Sequence, residues 1–287
     1  MTNKNRAFLK WPGGKYALLD EIKLLLPERD VLVEPFTGGS VLMLNTDFEK
    51  YILADINPDL INLYKCVKED GNHFIKHASR WFTAKANTED AYYKLRDRFN
   101  RTSDIEKRSY YFLALNRHCF NGVTRYSKKI GKSGFPTYNV PFGKFDRIYY
   151  PEKELILFHR KAQRATFLCE DFRKVLDKVP KYSSLYLDPP YSCIETQKTN
   201  FTGYYSDGFS PSDHIDLRDI AINLQRNGTP VLISNHDTPV TRKLYSKSKR
   251  SYVEVRRSIS RNGAQRNKAK EVLALYDVKK LKQKKVL

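Results

Sequence analysis

Short apolar segments of strand length alternate along this chain with segments of helical periodicity, and this alternation limits the possible folds most strongly. The apolar segments lie at residues 31–33, 51–56, 165–169, 184–188, 230–234, 253–255 and 271–278. Between them, leucine and isoleucine recur at helical spacing, as in residues 18–26 and 215–224. Strands that alternate with helices form mainly parallel sheets with helices on both faces. We therefore predict an α/β fold with a doubly wound sheet.

The last two predicted strands differ from the others in their connection. A polar stretch rich in Ser, Arg, Asn and Gly joins them, and it has no helical periodicity. Antiparallel strands need only a short link, whereas parallel strands need a crossover. We therefore expect an antiparallel hairpin to close one edge of the sheet.

Residues 59–150 interrupt the alternation of strands and helices. Residues 88–100 and 104–119 have helical patterns, with Thr88 as the N-cap of the first. Residues 121–143 are rich in glycine, aromatic and basic residues, a composition typical of a hairpin or extended loop. We interpret residues 59–150 as an inserted, mostly helical domain that ends in a basic β-hairpin. Residues 1–58 and 151–287 then form the other domain.

Positive charge is concentrated in two parts of the chain. The 287 residues include 52 Lys and Arg against 32 Asp and Glu, a formal net charge of +20. Residues 117–147 carry seven basic residues and one acidic residue, and residues 242–287 carry sixteen and three. Such localised charge indicates a polyanionic partner, most often nucleic acid. An acidic membrane surface or an acidic protein is the alternative.

Other features bear on the compartment in which the protein works. The four cysteines are widely spaced, without a C-x-x-C pair, which favours a reducing compartment and argues against disulfides or a zinc knuckle. We expect no metal site. No apolar run reaches the roughly 20 residues that span a bilayer, and the first 15 residues do not resemble a signal peptide. We therefore expect a soluble cytoplasmic protein.

The strongest local signal is Asp188-Pro189-Pro190-Tyr191, directly after a predicted strand. An exocyclic amino group of a nucleobase is a poor nucleophile because its lone pair is delocalised into the ring. The Asp188 carboxylate and the Pro189 carbonyl can each accept one amino hydrogen, which draws that lone pair toward an incoming methyl group. The prolines stiffen the backbone, and Tyr191 offers a flat face for an extruded base. The alternative is an ordinary proline turn.

A second signal, residues 34–40 with the sequence EPFTGGS, ends the first predicted strand and opens a helix. Small residues such as Gly38 let a ligand approach the backbone at the carboxyl end of a strand, where open α/β sheets bind nucleosides. Asp55 ends the next strand, where a carboxylate can accept both ribose hydroxyls. The full G-x-G-x-x-G pattern is absent. Together with the Asp-Pro-Pro-Tyr motif, this favours S-adenosylmethionine over a dinucleotide.

From residue 6 to 278, the chain resembles the Dam DNA adenine methyltransferases, with their motifs in the family's order. The motifs that carry the resemblance are residues 8–15 (FLKWPGGK), 34–36 (EPF), 53–57 (LADIN), 116–117 (NR), 121–122 (NG), 125–126 (RY), 139–143 (NVPFG), 188–191 (DPPY), 234–237 (SNHD) and 256–260 (RRSIS). The resemblance implies a Rossmann-like methyltransferase sheet with an inserted target-recognition domain. It also implies methyl transfer to the adenine amino group, within GATC sites of double-stranded DNA, by base flipping and direct in-line attack.

The resemblance further implies roles for individual residues. The residues that it assigns to the S-adenosylmethionine pocket are Trp11, Lys15, Glu34, Phe36, Gly38, Asp55, Asp171, Phe172 and Asp188. Asp188, Pro189, Pro190 and Tyr191 are the implied catalytic residues that grip the flipped adenine. Lys10 and Arg125 are expected to read the outer guanines, and Asn121 and Val123 to lie in the base-contacting hairpin. Ser40 departs from the family pattern, which has glycine there, and residues 127–138 form a longer segment than usual.

Two alternatives of different classes stay open on the sequence. The Asp-Pro-Pro-Tyr motif would serve equally well for methylating RNA adenine or the amino group of cytosine. A catalytically silent DNA-binding protein on the same scaffold is the other alternative, although such a protein has no chemical need for Asp55 or Asp188. We expect the protein to act on DNA in a bacterial cell, without a membrane or an obligate protein partner.

Overall fold

A central sheet of seven strands organises the molecule, which we describe from a computed structural model over residues 4–191, 208–256 and 268–278. The strands of this sheet are β1 (Val31–Glu34), β2 (Lys50–Ala54), β5 (Ala165–Leu168), β6 (Ser183–Leu187), β7 (Val231–His236), β8 (Lys249–Arg256) and β9 (Lys268–Tyr276). Their order across the sheet is β5-β2-β1-β6-β7-β9-β8. The first five strands in that order are parallel, whereas β9 runs antiparallel to both β7 and β8.

This sheet confirms the main sequence predictions. Each of the seven predicted strands is present, most with ends within two residues of the prediction. The closing antiparallel hairpin is present as β8 and β9. Residues 257–267, the polar stretch between them, lie outside the described residues.

Ten α-helices accompany the strands in the described part of the chain. They are α1 (Leu19–Leu25), α2 (Val41–Asn45), α3 (Pro58–Glu69), α4 (Gly71–Ala78), α5 (Glu89–Arg101), α6 (Ile105–His118), α7 (Glu152–Ala162), α8 (Phe172–Asp177), α9 (Pro211–Arg226) and α10 (Pro239–Leu244). The predicted helices at 88–100 and 104–119 correspond to α5 and α6, and the Thr88 side chain caps α5 as expected. None of these helices is long and apolar enough to cross a bilayer.

The start of α3 has a clear local cause. Asn57 accepts backbone hydrogen bonds from Asp59 and Leu60, which satisfies two of the amide groups that a helix leaves unpaired at its first turn. Pro58 occupies the first helical position, where its missing N–H costs nothing. Because Asn57 follows β2 closely, this cap sets α3 directly beside the carboxyl end of that strand.

Residues 126–138 form a separate two-stranded antiparallel hairpin, made of β3 (Tyr126–Ile130) and β4 (Pro136–Tyr138). This hairpin confirms the prediction for residues 121–143. The extent of an inserted domain stays a prediction. One hydrophobic cluster contains buried residues both from helices α3 to α6 and from the sheet, such as Tyr64, Phe112 and Leu32. Helix α3 also packs against β5 and α7.

Candidate active site

Three of the sequence motifs that contain an acidic residue lie at one edge of the sheet. Glu34 ends β1, Asp55 follows β2 and Asp188 follows β6. Because β2, β1 and β6 are parallel neighbours, their carboxyl ends point to the same edge. The structure thus brings together residues that are up to 154 positions apart in the chain, counted from Glu34 to Asp188. This edge is where open α/β sheets bind their ligands.

Asp188 is held by two polar groups. Its Oδ1 lies 2.9 Å from the Lys15 ammonium and accepts a 2.8 Å hydrogen bond from the Ser234 hydroxyl. The hydroxyl groups of Ser234 and Tyr186 are 2.9 Å apart. These contacts come from the N-terminal segment and from β7, so the carboxylate of Asp188 has a fixed orientation. The role of Ser234 was not predicted from the sequence, although it lies in one of the recognised motifs.

Tyr191 also contacts the Lys15 ammonium. The Lys15 Nζ lies 4.5 Å from the centre of the Tyr191 ring, a cation–π contact. The Tyr191 hydroxyl donates a 3.1 Å hydrogen bond to Glu271 Oε2, and the His236 ring meets the Tyr191 ring edge-on at 4.4 Å. Glu271, a buried residue of β9, also lies 3.9 Å from Lys15. Glu271 was not selected in the sequence analysis. The sequence feature that could have indicated this residue is a lone carboxylate in an apolar strand.

Glu34 is the most buried acidic group of the site, with 3% of its surface exposed. Burial, together with the negative charge of Asp188, raises the pKa of Glu34 to about 8. Its Oε1 is buried and has no hydrogen-bond partner among the described residues. An unpartnered buried carboxyl oxygen is costly unless a ligand supplies a donor or a positive charge. This atom therefore fits a cationic or hydrogen-bonding ligand.

Asp55 is positioned by backbone amides. Its Oδ2 accepts a 3.3 Å hydrogen bond from Gly38 N–H, and its Oδ1 accepts a 2.9 Å hydrogen bond from Asn57 N–H. Burial raises its pKa to about 6 in spite of these donors. The Gly38 backbone has a φ of +44°, and a Cβ atom added there would lie 2.8 Å from the Trp11 ring. Only glycine fits this close packing of Trp11 on the loop.

Ser40 lies in the same loop and has a left-handed backbone conformation, with φ of 52°. Glycine adopts this conformation without a steric cost, which gives a physical reason for the glycine of the family pattern. In this chain the Ser40 hydroxyl is buried and lies 2.9 Å from the Thr37 hydroxyl. The hydrogen bond compensates in part for the backbone strain.

Three phenylalanine rings lie next to this loop. Phe36, Phe172 and Phe209 have ring centres 5.5 to 5.7 Å apart. Asp171 caps α8 through the Arg173 N–H and pairs with the Arg173 guanidinium at 3.3 Å. The structure therefore brings Phe172 into contact with Phe36. The carboxylate of Asp171 is engaged by Arg173.

The predicted base-reading residues lie around Gly122. Asn116 binds the backbone of Lys10 with two hydrogen bonds, of 2.9 and 2.8 Å, and also donates to the carbonyl of Gly122. A Cβ atom at Gly122 would lie 2.2 Å from Lys10 Cβ. The Lys10 ammonium lies 3.8 Å from the Phe145 ring centre. Burial and the charge of Arg117 lower the pKa of Lys10.

The other residues that are predicted to contact DNA are Asn121, Val123 and Arg125. Asn121 is exposed and has a left-handed backbone with φ of 53°. The carbonyl of Val123 accepts a 3.1 Å hydrogen bond from the Tyr138 hydroxyl of β4. Arg125 is exposed just before β3 and donates to the Asn139 side chain at 2.7 Å. Lys10, Asn121 and Val123 are thus gathered on both sides of Gly122, and Arg125 follows at the base of the hairpin.

Comparison with known proteins agrees with this arrangement. The model of the D12 class N6 adenine-specific DNA methyltransferases matches residues 11–259. The chain belongs to this family. A DNA adenine methylase of Vibrio cholerae is 48% identical over 274 residues, which cover 95% of this chain and 96% of the relative. Those of Salmonella typhi and Escherichia coli K12 are 48% and 46% identical, with the same coverage.

Membership of this family confirms the resemblance inferred from the motifs. The protein is therefore an enzyme that methylates adenine in DNA. Among the described residues, no three His, Cys, Asp or Glu side chains are grouped so that they could hold a metal ion.

Proposed function

We propose that this methyltransferase moves a methyl group from S-adenosylmethionine to the exocyclic amino group of a flipped adenine in GATC. The observation that carries the proposal is the meeting of Glu34, Asp55 and Asp188 at one edge of the sheet. Each carboxyl group there has different surroundings, and different surroundings suit different partners. We assign Glu34 and Asp55 to the methyl donor and Asp188 chiefly to the target base.

The residues at this edge fit the donor's polar groups. The unpartnered Oε1 of Glu34 suits a positively charged group, and the two oxygens of Asp55 suit a pair of ribose hydroxyls. The rings of Phe36 and Phe172 offer an apolar surface for an adenine ring, and Trp11 packs over the glycine loop. When bound, the donor supplies an electrophilic methyl group carried on a sulfonium.

The target amino group is assigned to the Asp188-Pro189-Pro190-Tyr191 segment. The contacts of Lys15 and Ser234 both involve Oδ1 of Asp188, and we assign Oδ2 to one amino hydrogen. The Pro189 carbonyl accepts the second hydrogen, which turns the nitrogen lone pair toward the methyl group. The nitrogen attacks the methyl carbon in line, so that the N–C bond forms as the C–S bond breaks and S-adenosylhomocysteine leaves. Asp188 stabilises the positive charge on nitrogen until the surplus proton passes to solvent. Rate acceleration then comes from positioning and preorganised electrostatics.

Reading of the DNA sequence is assigned to the residues around Gly122. An arginine donates two hydrogen bonds to guanine in the major groove, and a lysine can contact the same acceptors. Arg125 is exposed, and Lys10 is fixed through its backbone, so both are suited to reading the outer guanines. Asn121 and Val123 flank Gly122 in the chain and are assigned to the neighbouring bases.

Transfer of a labelled methyl group tests this proposal. S-adenosylmethionine carrying the label is offered with a GATC duplex, with a duplex changed at one base, and with the matching RNA. We expect label in the GATC duplex and at least tenfold less in the other two. Equal labelling of the changed duplex would contradict GATC recognition. Preferential labelling of the RNA would favour the RNA alternative, and no label in any substrate would refute the proposed donor and reaction.

Base flipping needs a separate test, because methyl transfer alone does not report it. In a GATC duplex, 2-aminopurine replaces the target adenine, since its fluorescence rises when it leaves the base stack. We expect a rise when the methyltransferase binds and no rise when 2-aminopurine stands outside the site. An unchanged signal at the target position would contradict flipping.

A further inference from the structure

A buried ion pair joins helix α3 to helix α6 and the basic hairpin. Asp59 and Arg108 are 3% and 2% exposed, and the guanidinium donates to both carboxylate oxygens of Asp59, with one of these hydrogen bonds at 3.0 Å. The Tyr126 hydroxyl, from the first residue of β3, donates a 2.7 Å hydrogen bond to the same carboxylate. Asp59 is therefore a junction between three elements.

On one side, this junction adjoins the candidate donor pocket. Asp59 is the second residue of α3, and its N–H is capped by the Asn57 side chain at 3.0 Å. The Asn57 N–H in turn donates to Asp55 Oδ1 at 2.9 Å. Two hydrogen bonds therefore connect Asp55 to the first turn of α3.

On the other side, the junction holds the hairpin that carries Arg125. Tyr126 directly follows Arg125 in the chain, and the Arg108 guanidinium lies 4.4 Å from the ring centre of Phe135, which is in the loop between β3 and β4. Arg108 also lies 3.9 Å from the ring centre of Phe99 and donates to its carbonyl at 2.9 Å. The hairpin thus packs against the Arg108 guanidinium, which also contacts Phe99 of α5.

We propose that Asp59 is a positioning residue that couples donor binding to DNA reading, with the Tyr126–Asp59 hydrogen bond as the link. The inference rests on the proposed function, since it takes Asp55 as part of the donor pocket and Arg125 as a base reader. Linkage requires that, if the donor strengthens binding of DNA, DNA strengthens binding of the donor by the same factor. A buried carboxylate is suited to this task because a small shift of one partner leaves it poorly paired, which is costly in a low-dielectric interior.

A merely structural role for this cluster makes a different prediction, and one conservative pair of variants separates the two. Tyr126→Phe removes the hydroxyl while keeping the ring and the Asp59–Arg108 pair. Tyr92→Phe is the matched control, because the buried Tyr92 hydroxyl donates 2.8 Å to the Val140 carbonyl near the same hairpin without contacting Asp59. If only stability matters, both variants should behave alike.

The experiment measures the Kd of the full chain for a GATC duplex with and without saturating S-adenosylhomocysteine. Allosteric coupling is typically about 5- to 150-fold, so we expect the wild type to bind DNA at least fivefold more tightly with the cofactor product. Tyr126→Phe should reduce this enhancement by about threefold or more, and Tyr92→Phe should retain it. A wild-type enhancement of one, an unchanged enhancement in Tyr126→Phe, or an equal loss in both variants would overturn the inference.

Binding of S-adenosylhomocysteine to the enzyme alone, measured by calorimetry, distinguishes this failure from failure of the proposed function. If S-adenosylhomocysteine binds to the wild type but not to Asp55→Ala, the proposed pocket stands whatever the coupling shows. If it does not bind to the wild type, the proposed pocket falls and the coupling inference falls with it.

Discussion

Three carboxyl groups define the candidate site at the scale of residues, and each has its own environment. Asp188 lies beside an ammonium and a hydroxyl group, and Asp55 accepts hydrogen bonds from backbone amides. Glu34 is buried with one oxygen unpartnered among the described residues. These environments separate the tasks that we assign to them, because an acceptor held in place suits an amino group and an unpaired buried oxygen suits a cation.

Replacement of Asp188 tests its catalytic role. Removing one preorganised group from a transition state typically lowers the rate by about 10²- to 10³-fold, and we expect a loss of this size for Asp188→Ala. Asp188→Asn keeps an acceptor oxygen but lacks the ion pair with Lys15. The rate of methyl transfer should therefore fall by a smaller factor in this variant than in Asp188→Ala. Single-turnover methyl transfer provides the measurement. Asp219→Ala, at an exposed ion pair of α9, is the control and should be fully active. A fully active Asp188→Ala would contradict the assigned mechanism.

The environment of Glu34 predicts a pH-dependent stability. Its pKa is about 8 in the folded protein against an ordinary value of 4.5, so the folded chain holds this proton more tightly than the unfolded chain. The favourable contribution of protonated Glu34 to the free energy of unfolding is therefore fully present below pH 4.5 and is lost as the pH rises toward 8. Glu34→Gln carries no such proton. We expect the variant to gain on the order of 3 kcal/mol relative to the wild type between pH 5 and pH 8.

Urea unfolding at the two pH values, without the methyl donor, checks this expectation. Glu69→Gln, at an exposed carboxyl group at the end of α3, is the control and should leave the pH dependence unchanged. A difference between Glu34→Gln and the wild type that stays constant from pH 5 to pH 8 would contradict the assigned burial effect.

Residues of the site could be predicted from the sequence only where they belong to a recognised motif. The motifs contain Glu34, Asp55 and Asp188, and the structure brings these together. Glu271 belongs to no recognised motif, and its place beside Tyr191 depends on the register of β9 against β7, which pairs it with His236. Register between strands far apart in the chain is a tertiary property, so local pattern cannot supply it.

At the scale of elements, patterns with a local physical cause were predictable. The strands follow from apolar runs, α5 follows from its Thr88 cap, and the hairpin follows from its glycine content. The sequence interpretation grouped α3 with the insertion, although the Asn57-Pro58 pair is a helix-start signal. That α3 packs on β5 and α7 could not be read locally, because packing depends on the order of the strands in the sheet.

The basic hairpin predicts a division between residues that read bases and residues that bind phosphates. Arg125→Ala should lower discrimination at one outer guanine by about 1–3 kcal/mol, and Lys10→Ala should do so at the other. Lys128→Ala, at an exposed position of β3, should weaken binding of all duplexes about equally and reduce the salt dependence. Competition binding with duplexes changed at single bases provides the measurement. A uniform loss in Arg125→Ala would contradict its assignment as a base reader.

At the scale of the whole molecule, the net charge of +20 separates into two segments with different expected tasks. The segment at 117–147 includes the hairpin and therefore adjoins the proposed base readers. The segment at 242–287 includes β8 and β9, and its last nine residues lie outside the described part of the chain. We expect the second segment to contact phosphates, which contributes affinity without sequence information.

Removal of residues 279–285, which contain five lysines, tests this division of tasks. For every phosphate that the shortened chain no longer neutralises, the slope of log affinity against log salt should fall by about one. We expect weaker binding to every duplex and an unchanged preference for GATC. Titrations at several salt concentrations with GATC and one-base-changed duplexes give both quantities. A truncated protein that loses its GATC preference would contradict the assignment.

Position-resolved detection of methylated bases in a long natural DNA tests the proposed methylation of adenine in GATC. The DNA, initially unmethylated, is treated with the enzyme and S-adenosylmethionine, and the modified bases are identified by mass spectrometry and mapped along the sequence. The proposed function predicts N6-methyladenine at GATC sites and at least tenfold less at any other adenine. Methyl groups on the amino group of cytosine, or on adenines without regard to GATC, would contradict it.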